Sequence, residues 1–343
     1  MPAGSRGARG LAEIVRRFRR VRIAVVGDLI ADEFIYGQVA RVSREAPVLI
    51  LQYAATEVVP GGAGNAASNA AALGARVRVV GVVGRDASGA RLVKALASRA
   101  DVGSIARVTS QATPVKTRIL AGGEHSAKQQ IVRIDRATGA PRESTRRHAA
   151  AALARALETV DAVIVSDYGA GFVSPSMVRT ALEVSAPRRG RRRAPLVFVD
   201  SRYRMLEYAG VTAVTPNESE VEAQRGVTIG DDLAALERAG RLLLVRLRAQ
   251  AVLVTRGSRG MALFQPTAPT VHLPIVGSDE IADVTGAGDT VIATFALAAA
   301  AGATFADAAR LANHAGGIVV MKRGTATVSA KELIASVRAA AGR

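Results

Sequence analysis

The chain contains no cysteine and no tryptophan, and only five Tyr and seven Phe among 343 residues. Without a thiol there is no disulfide framework, no cysteine nucleophile and no thiolate zinc site. The four His are scattered and none falls in an HExxH pattern, which removes a helix-borne zinc site as well. With so few rings, Ala, Val and Leu must fill the core. Acidic residues are in deficit, 29 against 46 Lys and Arg, leaving a net charge of +17. Long apolar runs are also missing. The longest, 291–305, is bounded by Asp289 and Asp307 and falls short of the roughly 20 residues of a membrane span. No apolar stretch of about 7–15 residues follows the basic start MPAGSRGARG, so no secretory signal and no membrane partner are expected. The expected location is the cytoplasm.

Such a basic balance suits a nucleic acid, a phosphorylated small molecule or plain solvation. The densest cluster, PRRGRRRAP (187–195), carries no aromatic residue that could stack a base. A solvated loop is expected there, and a nucleic-acid partner is not.

What the chain does have is a repeating order of elements. Apolar, β-branched runs recur at 22–28, 76–86, 162–169, 196–202, 211–218 and 251–257, short and uninterrupted like strands buried on both faces. Helical stretches such as 144–160, 174–185 and 233–248 separate most of them. This alternation predicts an α/β fold with a mainly parallel sheet flanked by helices. Several runs end on polar residues: Asp28, Asp86, Asp167, Asp200, Asn217 and Thr255. Any one of them alone reads best as a helix cap. Six along one lip of a sheet predict a site, since open α/β sheets bind ligands beyond their carboxyl ends. Two regions, 34–59 and 113–135, hold strand-like segments without helices and predict a small antiparallel appendage, a β-sheet lid.

Two glycine stretches carry the chemistry. DVTGAGDT (283–290) opens the Ala-rich run. A helix N-terminus presents unpaired N–H groups and a positive dipole end, and Gly286 and Gly288 let an anion approach the backbone. An acid is a poor phosphate ligand there but a suitable base: Asp289 would take the proton of an attacking hydroxyl while the neighbouring amides hold the phosphoryl group. Taken alone, Asp289 reads equally well as a cap. The second stretch, PGGAGNAASNAAALG (60–74), opens a small-residue helix with Asn65 and Asn69 four apart. Its formal GxGxxA match follows Pro60 and lacks the usual downstream acid, so a dinucleotide site is not expected. No GxxxxGK[ST] occurs.

These motifs, with PNESE (216–220) and TRGSRG (255–260) between them, resemble the ribokinase/PfkB family of sugar kinases over roughly 22–337. The resemblance implies a ribokinase-like kinase domain over 21–340, preceded by a basic N-terminal extension (1–20). It implies Asp289 as base and an anion hole at Gly286, Ala287 and Gly288. Asn217 and Glu220 would organise Mg2+ and the ATP phosphates, and Thr255, Gly257, Gly260 and Asn313 would border the nucleotide. Asp32, with Asp28, Gly62 and Asn65, would hold sugar hydroxyls. Asp283 would form a monovalent-cation site for K+ or cap a turn. The lid strands would also build a homodimer interface.

Within the family the chain most resembles the D-glycero-β-D-manno-heptose 7-phosphate kinases, through RVSREAPV (41–48), TPVKTRIL (113–120), QQIVRID (129–135), SDYGAG (166–171) and ANHAGGIVVMKRGTATVS (312–329). This implies transfer of the ATP γ-phosphoryl group to an anomeric hydroxyl, giving a 1,7-bisphosphate for ADP-heptose synthesis. Lys116 and Arg118 share one face of their strand and with Arg133 would hold the substrate phosphate; a solvated strand edge would carry the same charges. The chain departs from the pattern at Ala170, where a lysine is expected, and at SRYR (201–204) in place of Pro-Lys-Gly. Bifunctional relatives also carry a nucleotidyltransferase domain, and this chain stops near where a kinase would end. A kinase for fructose, ribose or fructose 6-phosphate is the alternative.

Overall fold

A computed structural model describes residues 6–122, 128–185, 194–277, 283–322 and 324–341. Among them, thirteen strands divide between two sheets: β1 (Arg22–Gly27), β2 (Leu29–Val42), β3 (Leu49–Gly62), β4 (Arg76–Gly84), β5 (Asp101–Val108), β6 (Val115–Gly122), β7 (Gln129–Arg136), β8 (Ala162–Asp167), β9 (Leu196–Ser201), β10 (Ala213–Val214), β11 (Ala251–Thr255), β12 (Met261–Gln265) and β13 (Ala268–Leu273). The larger sheet is ordered β5-β4-β1-β8-β9-β10-β11-β12-β13. It is parallel from β5 to β11 and ends in an antiparallel hairpin.

Alternation along each strand feeds two apolar layers. On β1, Ile23 and Val25 face one layer, and Ala24 and Val26 the other. The first layer is covered by helices that include Ala63–Ala72 and Ala287–Ala300, the second by Glu143–Leu157, Pro175–Val184 and Leu233–Leu247. The last three match the predicted helices closely. Ser174 caps one of them and Pro175 starts it, where its missing N–H costs nothing. The run predicted as a strand over 211–218 keeps only Ala213–Val214, because Pro216 has no donor and Asn217 caps the next helix. Of the stretch expected as a basic extension, residues from Ala8 onward fold into the body instead: helix Ala8–Arg17 buries Leu11, Ile14 and Val15.

From β1 the chain lays down β4 and β5 on one side, then returns with β8 on the other. Strand order therefore reverses between β1 and β8, and a crevice opens at their carboxyl ends. The second sheet, β3-β2-β6-β7, stands beside this crevice, since only Asp28 separates β1 from β2. The expected antiparallel pairing holds for β2/β3 and β6/β7, while the central β2/β6 pair is parallel. The Arg cluster at 188–193 lies outside the described residues.

Candidate active site

Small residues bring the two glycine-opened helices, Ala63–Ala72 and Ala287–Ala300, close enough for their polar side chains to meet. Asp289 sits in the first turn of the latter, 2% exposed. Its Oδ2 accepts from Asn65 Nδ2 at 2.8 Å and its Oδ1 from the Tyr168 hydroxyl at 3.0 Å. The amide of Asn65 has its orientation set from behind. Thr290 Oγ1 donates to Asn69 Oδ1 at 3.0 Å, and Asn69 Nδ2 donates to Asn65 Oδ1 at 3.1 Å. Asn65 therefore turns its NH2 toward the carboxylate. Burial pushes the Asp289 carboxyl up to about 7; the Asn65 and Tyr168 donors oppose the rise, Asp32 adds to it and Lys116 opposes it. A carboxylate with that affinity can accept a proton near neutral pH.

Gly286 precedes this turn with φ +78°, a conformation favoured by glycine, and a Cβ there would collide with Asn65 Nδ2. The Ala287 N–H is taken by the Val284 carbonyl at 3.2 Å. Of the predicted anion hole, Gly286 and Gly288 keep amides without a protein acceptor among the described residues.

Asp289 lies at the wall of a cavity of about 450 Å³ between the lid and the main sheet. The lid contributes Asp32, Lys116, Arg118 and Arg133; the carboxyl-end rim of the main sheet contributes Tyr168, Asp200, Arg202, Asn217 and Thr255, and the helix capped by Asn217 contributes Glu220. Gly62 and Asn65 complete the wall beside Gly286 and Gly288. Register explains the lid face, because Asp32 pairs with Lys116 and Phe34 with Arg118. The cations differ in freedom. Arg118 Nη1 donates to Asp32 Oδ1 at 2.9 Å with both side chains nearly buried, and Arg133 is paired with Asp135 at 2.8 Å. Lys116 Nζ lies 5.3 Å from the Tyr168 ring centre, without a carboxylate partner among the described residues. Burial lowers its amine below the usual value, with Asp32 opposing. Asn217 and Glu220 hold each other in a capping box, Asn217 Oδ1 accepting from the Glu220 N–H and Glu220 Oε2 from the Asn217 N–H.

Other predicted residues stand elsewhere. Asp28 is not at the cavity wall: its carboxylate accepts from the backbone N–H groups of Tyr168, Ala170 and Phe172 at 2.8, 3.0 and 3.3 Å. It anchors the loop after β8, which leaves little capacity for a sugar hydroxyl. Asp283 accepts from the Thr285 and Gly324 N–H groups at 2.8 and 3.0 Å, tying two loops together. Gly257 and Gly260 flank a tight turn beyond β11, and Asn313 donates to the Pro274 carbonyl at 2.7 Å. Sequence reasoning gave Asp200 only as one of six polar strand ends and passed over Tyr168 and Arg202 as site residues. Their one signal was position, just at or past the carboxyl ends of β8 and β9.

A family model described as pfkB family carbohydrate kinase matches residues 22–332. Two curated relatives named bifunctional protein HldE are each 40% identical. That of Geobacter metallireducens aligns over 321 residues, 93% of this chain and 63% of the relative. That of Caulobacter vibrioides aligns over 338 residues, 97% and 66%. The chain thus spans slightly less than two thirds of their length. Among solved structures, Arabidopsis thaliana ribokinase complexed with ribose and ATP is similar with a TM-score of 0.70 at 20% identity, over 93% of this chain and 99% of that one. Escherichia coli phosphofructokinase-2 in complex with potassium gives 0.73 at 19%, over 94% and 100%. At such identities these two show the shared fold.

Proposed function

The chain belongs to the pfkB family of carbohydrate kinases, and from that premise we propose that it moves the γ-phosphoryl group of ATP onto the anomeric hydroxyl of D-glycero-D-manno-heptose 7-phosphate. The observation that carries this is the position of Asp289: a buried carboxylate with proton affinity near neutrality, at the N-terminus of a helix and at the wall of a cavity into which Lys116 and Arg202 also face. The sugar oxygen attacks phosphorus, its proton passes to Asp289 and ADP leaves. The amides of Gly286 and Gly288 stabilise the transferring group. Lys116 and Arg202, neither paired with an acid among the described residues, suit the distal phosphate of the sugar, and Arg118 holds Asp32 for the hydroxyls. The likeness to the HldE relatives supports the heptose substrate.

Magnesium would supply charge neutralisation between the ATP phosphates. Among the described residues no three His, Asp or Glu side chains gather to hold a metal, which fits an ion carried mainly by phosphate and water. Glu220 retains one carboxylate oxygen for it beyond the capping box. Asp283, by fixing Thr285 against Gly324, would organise a loop for K+. Thr255, Gly257, Gly260 and Asn313 would border the adenosine side. Exposed Tyr53, Val132 and Ile134 on the lid strands would be covered in a homodimer. Among the described residues no helix is long and apolar enough to cross a membrane, and a cytoplasmic location suits an ATP-dependent enzyme.

The test is ADP release with magnesium and ATP against D-glycero-D-manno-heptose 7-phosphate, fructose 6-phosphate, fructose and ribose. Turnover confined to the heptose phosphate is expected. Turnover of an unphosphorylated sugar would discard the heptose substrate and leave the kinase standing.

A further inference from the structure

Tyr168 is a half-buried tyrosine with no role in the reaction as written above. It follows β8 directly, and its backbone N–H is pinned to Asp28 Oδ2 at 2.8 Å, which fixes the main chain from which the ring projects. From that anchor its hydroxyl reaches Asp289 Oδ1 at 3.0 Å, on the oxygen that Asn65 does not occupy. We propose that Tyr168 is a positioning residue for the base: donating to one carboxylate oxygen while Asn65 donates to the other, it fixes the rotation of Asp289 and the edge presented to the attacking hydroxyl.

The inference rests on Asp289 being the base. Two donors from opposite sides leave the carboxylate one orientation. Each oxygen still has a lone pair for an incoming proton. Asn65 cannot reverse its amide, because Asn69 occupies its carbonyl. Tyr168 cannot readily reverse its role either: burial and the nearby Asp289 and Asp200 carboxylates hold its phenol well above its usual range, so it remains a donor. Both donors favour the ionised carboxylate, against the burial that favours the protonated one. The other charges facing Asp289 are Asp32 and Lys116 from the lid and Asp200 from β9, and these oppose one another. Lys116 above the Tyr168 ring joins the cation expected at the distal phosphate to the residue steering the base.

The test is Tyr168→Phe, which keeps the ring, its contact with Lys116 and the backbone bond to Asp28. Protein carrying 13C at aspartate Cγ is titrated by NMR, the Asp289 resonance being assigned by its loss in Asp289→Asn. This readout needs no substrate. Without the hydroxyl the midpoint should rise by about half a pH unit or more. In ADP release from ATP and the heptose phosphate, the acidic limb of kcat should move with it, and KM should change little. The expected loss is about threefold or more on the acid side and shrinks as pH rises. An unchanged midpoint and an unshifted acidic limb would overturn the role given to Tyr168. Near-full turnover by Asp289→Asn would instead overturn the base on which it rests, whatever the Tyr168 titration shows.

Discussion

Asn65 and Asp289 stand 224 residues apart in the chain and 2.8 Å apart in the fold, Nδ2 to Oδ2. Each lies near the mouth of a glycine-opened, small-residue helix, and the bond between them couples the two sequence motifs into one device.

That coupling makes Asp289→Asn informative beyond activity. Turnover should fall by two orders of magnitude or more, on the order expected for a lost general base, with fold and ATP binding retained. Stability should move the other way. The folded carboxyl is raised to about 7 from an unfolded value near 3.8. The parent is therefore favoured at low pH and loses stability as pH rises through about 7, when an ionised carboxylate must stay buried. The variant escapes this loss. Urea unfolding should show Asp289→Asn at least as stable as the parent at about pH 8.5, with the difference shrinking toward about pH 4.

Arg118 and Lys116, two residues apart on β6, should separate cleanly. Arg118→Met leaves Asp32 buried without its partner and should cost about 3 kcal/mol in denaturant unfolding. Lys116→Met breaks no ion pair and should leave stability within about 1 kcal/mol. Its effect should appear as a raised KM for the phosphorylated sugar with ATP binding unchanged, which steady-state kinetics and ATP titration would measure.

Gly286→Ala should damage the site without any change in charge. The residue has φ +78°, and the added methyl meets the Asn65 amide that serves Asp289. Strain of about 1–3 kcal/mol is expected, and turnover should drop together with stability. Gly74→Ala is a useful control: it shares a positive φ but its Cβ meets open space, so only stability should fall.

Glu332 predicts an acid-side effect outside the cavity lining. Lys322 and the Ser329 N–H lower its carboxyl to about 2. A depressed folded value adds stability above about pH 4.5 that is lost as pH falls toward about 2. Because the pair is substantially solvent-exposed, Glu332→Gln should cost only about 1 kcal/mol at neutral pH, and nothing once the parent is protonated. Thermal unfolding across that window would measure it.

Strand and helix order were readable locally, because burial on both faces demands uninterrupted apolar runs, and because Ser174, Asn217 and Gly286 carry their turn chemistry in their own side chains or in the lack of one. The two glycine motifs announced a phosphate-handling helix and its partner for the same reason. The polar strand ends were ambiguous, and they divided: Asp86 caps its helix by accepting from the Gly89 N–H, Asp28 anchors a loop, and Asp200, Asn217 and Thr255 reach the cavity. A carboxylate looks the same in sequence whether it receives backbone amides or a ligand. Only the tertiary structure decided where its oxygens are already occupied. It alone gave Tyr168 a part, because no spacing rule connects a residue at the end of β8 to a base 121 positions later. The sequence by itself determined which helices could approach closely, through Ala and Gly. Which side chains then met at the crevice depended on the pairing of β1 with β8, a long-range relationship that local periodicity does not encode.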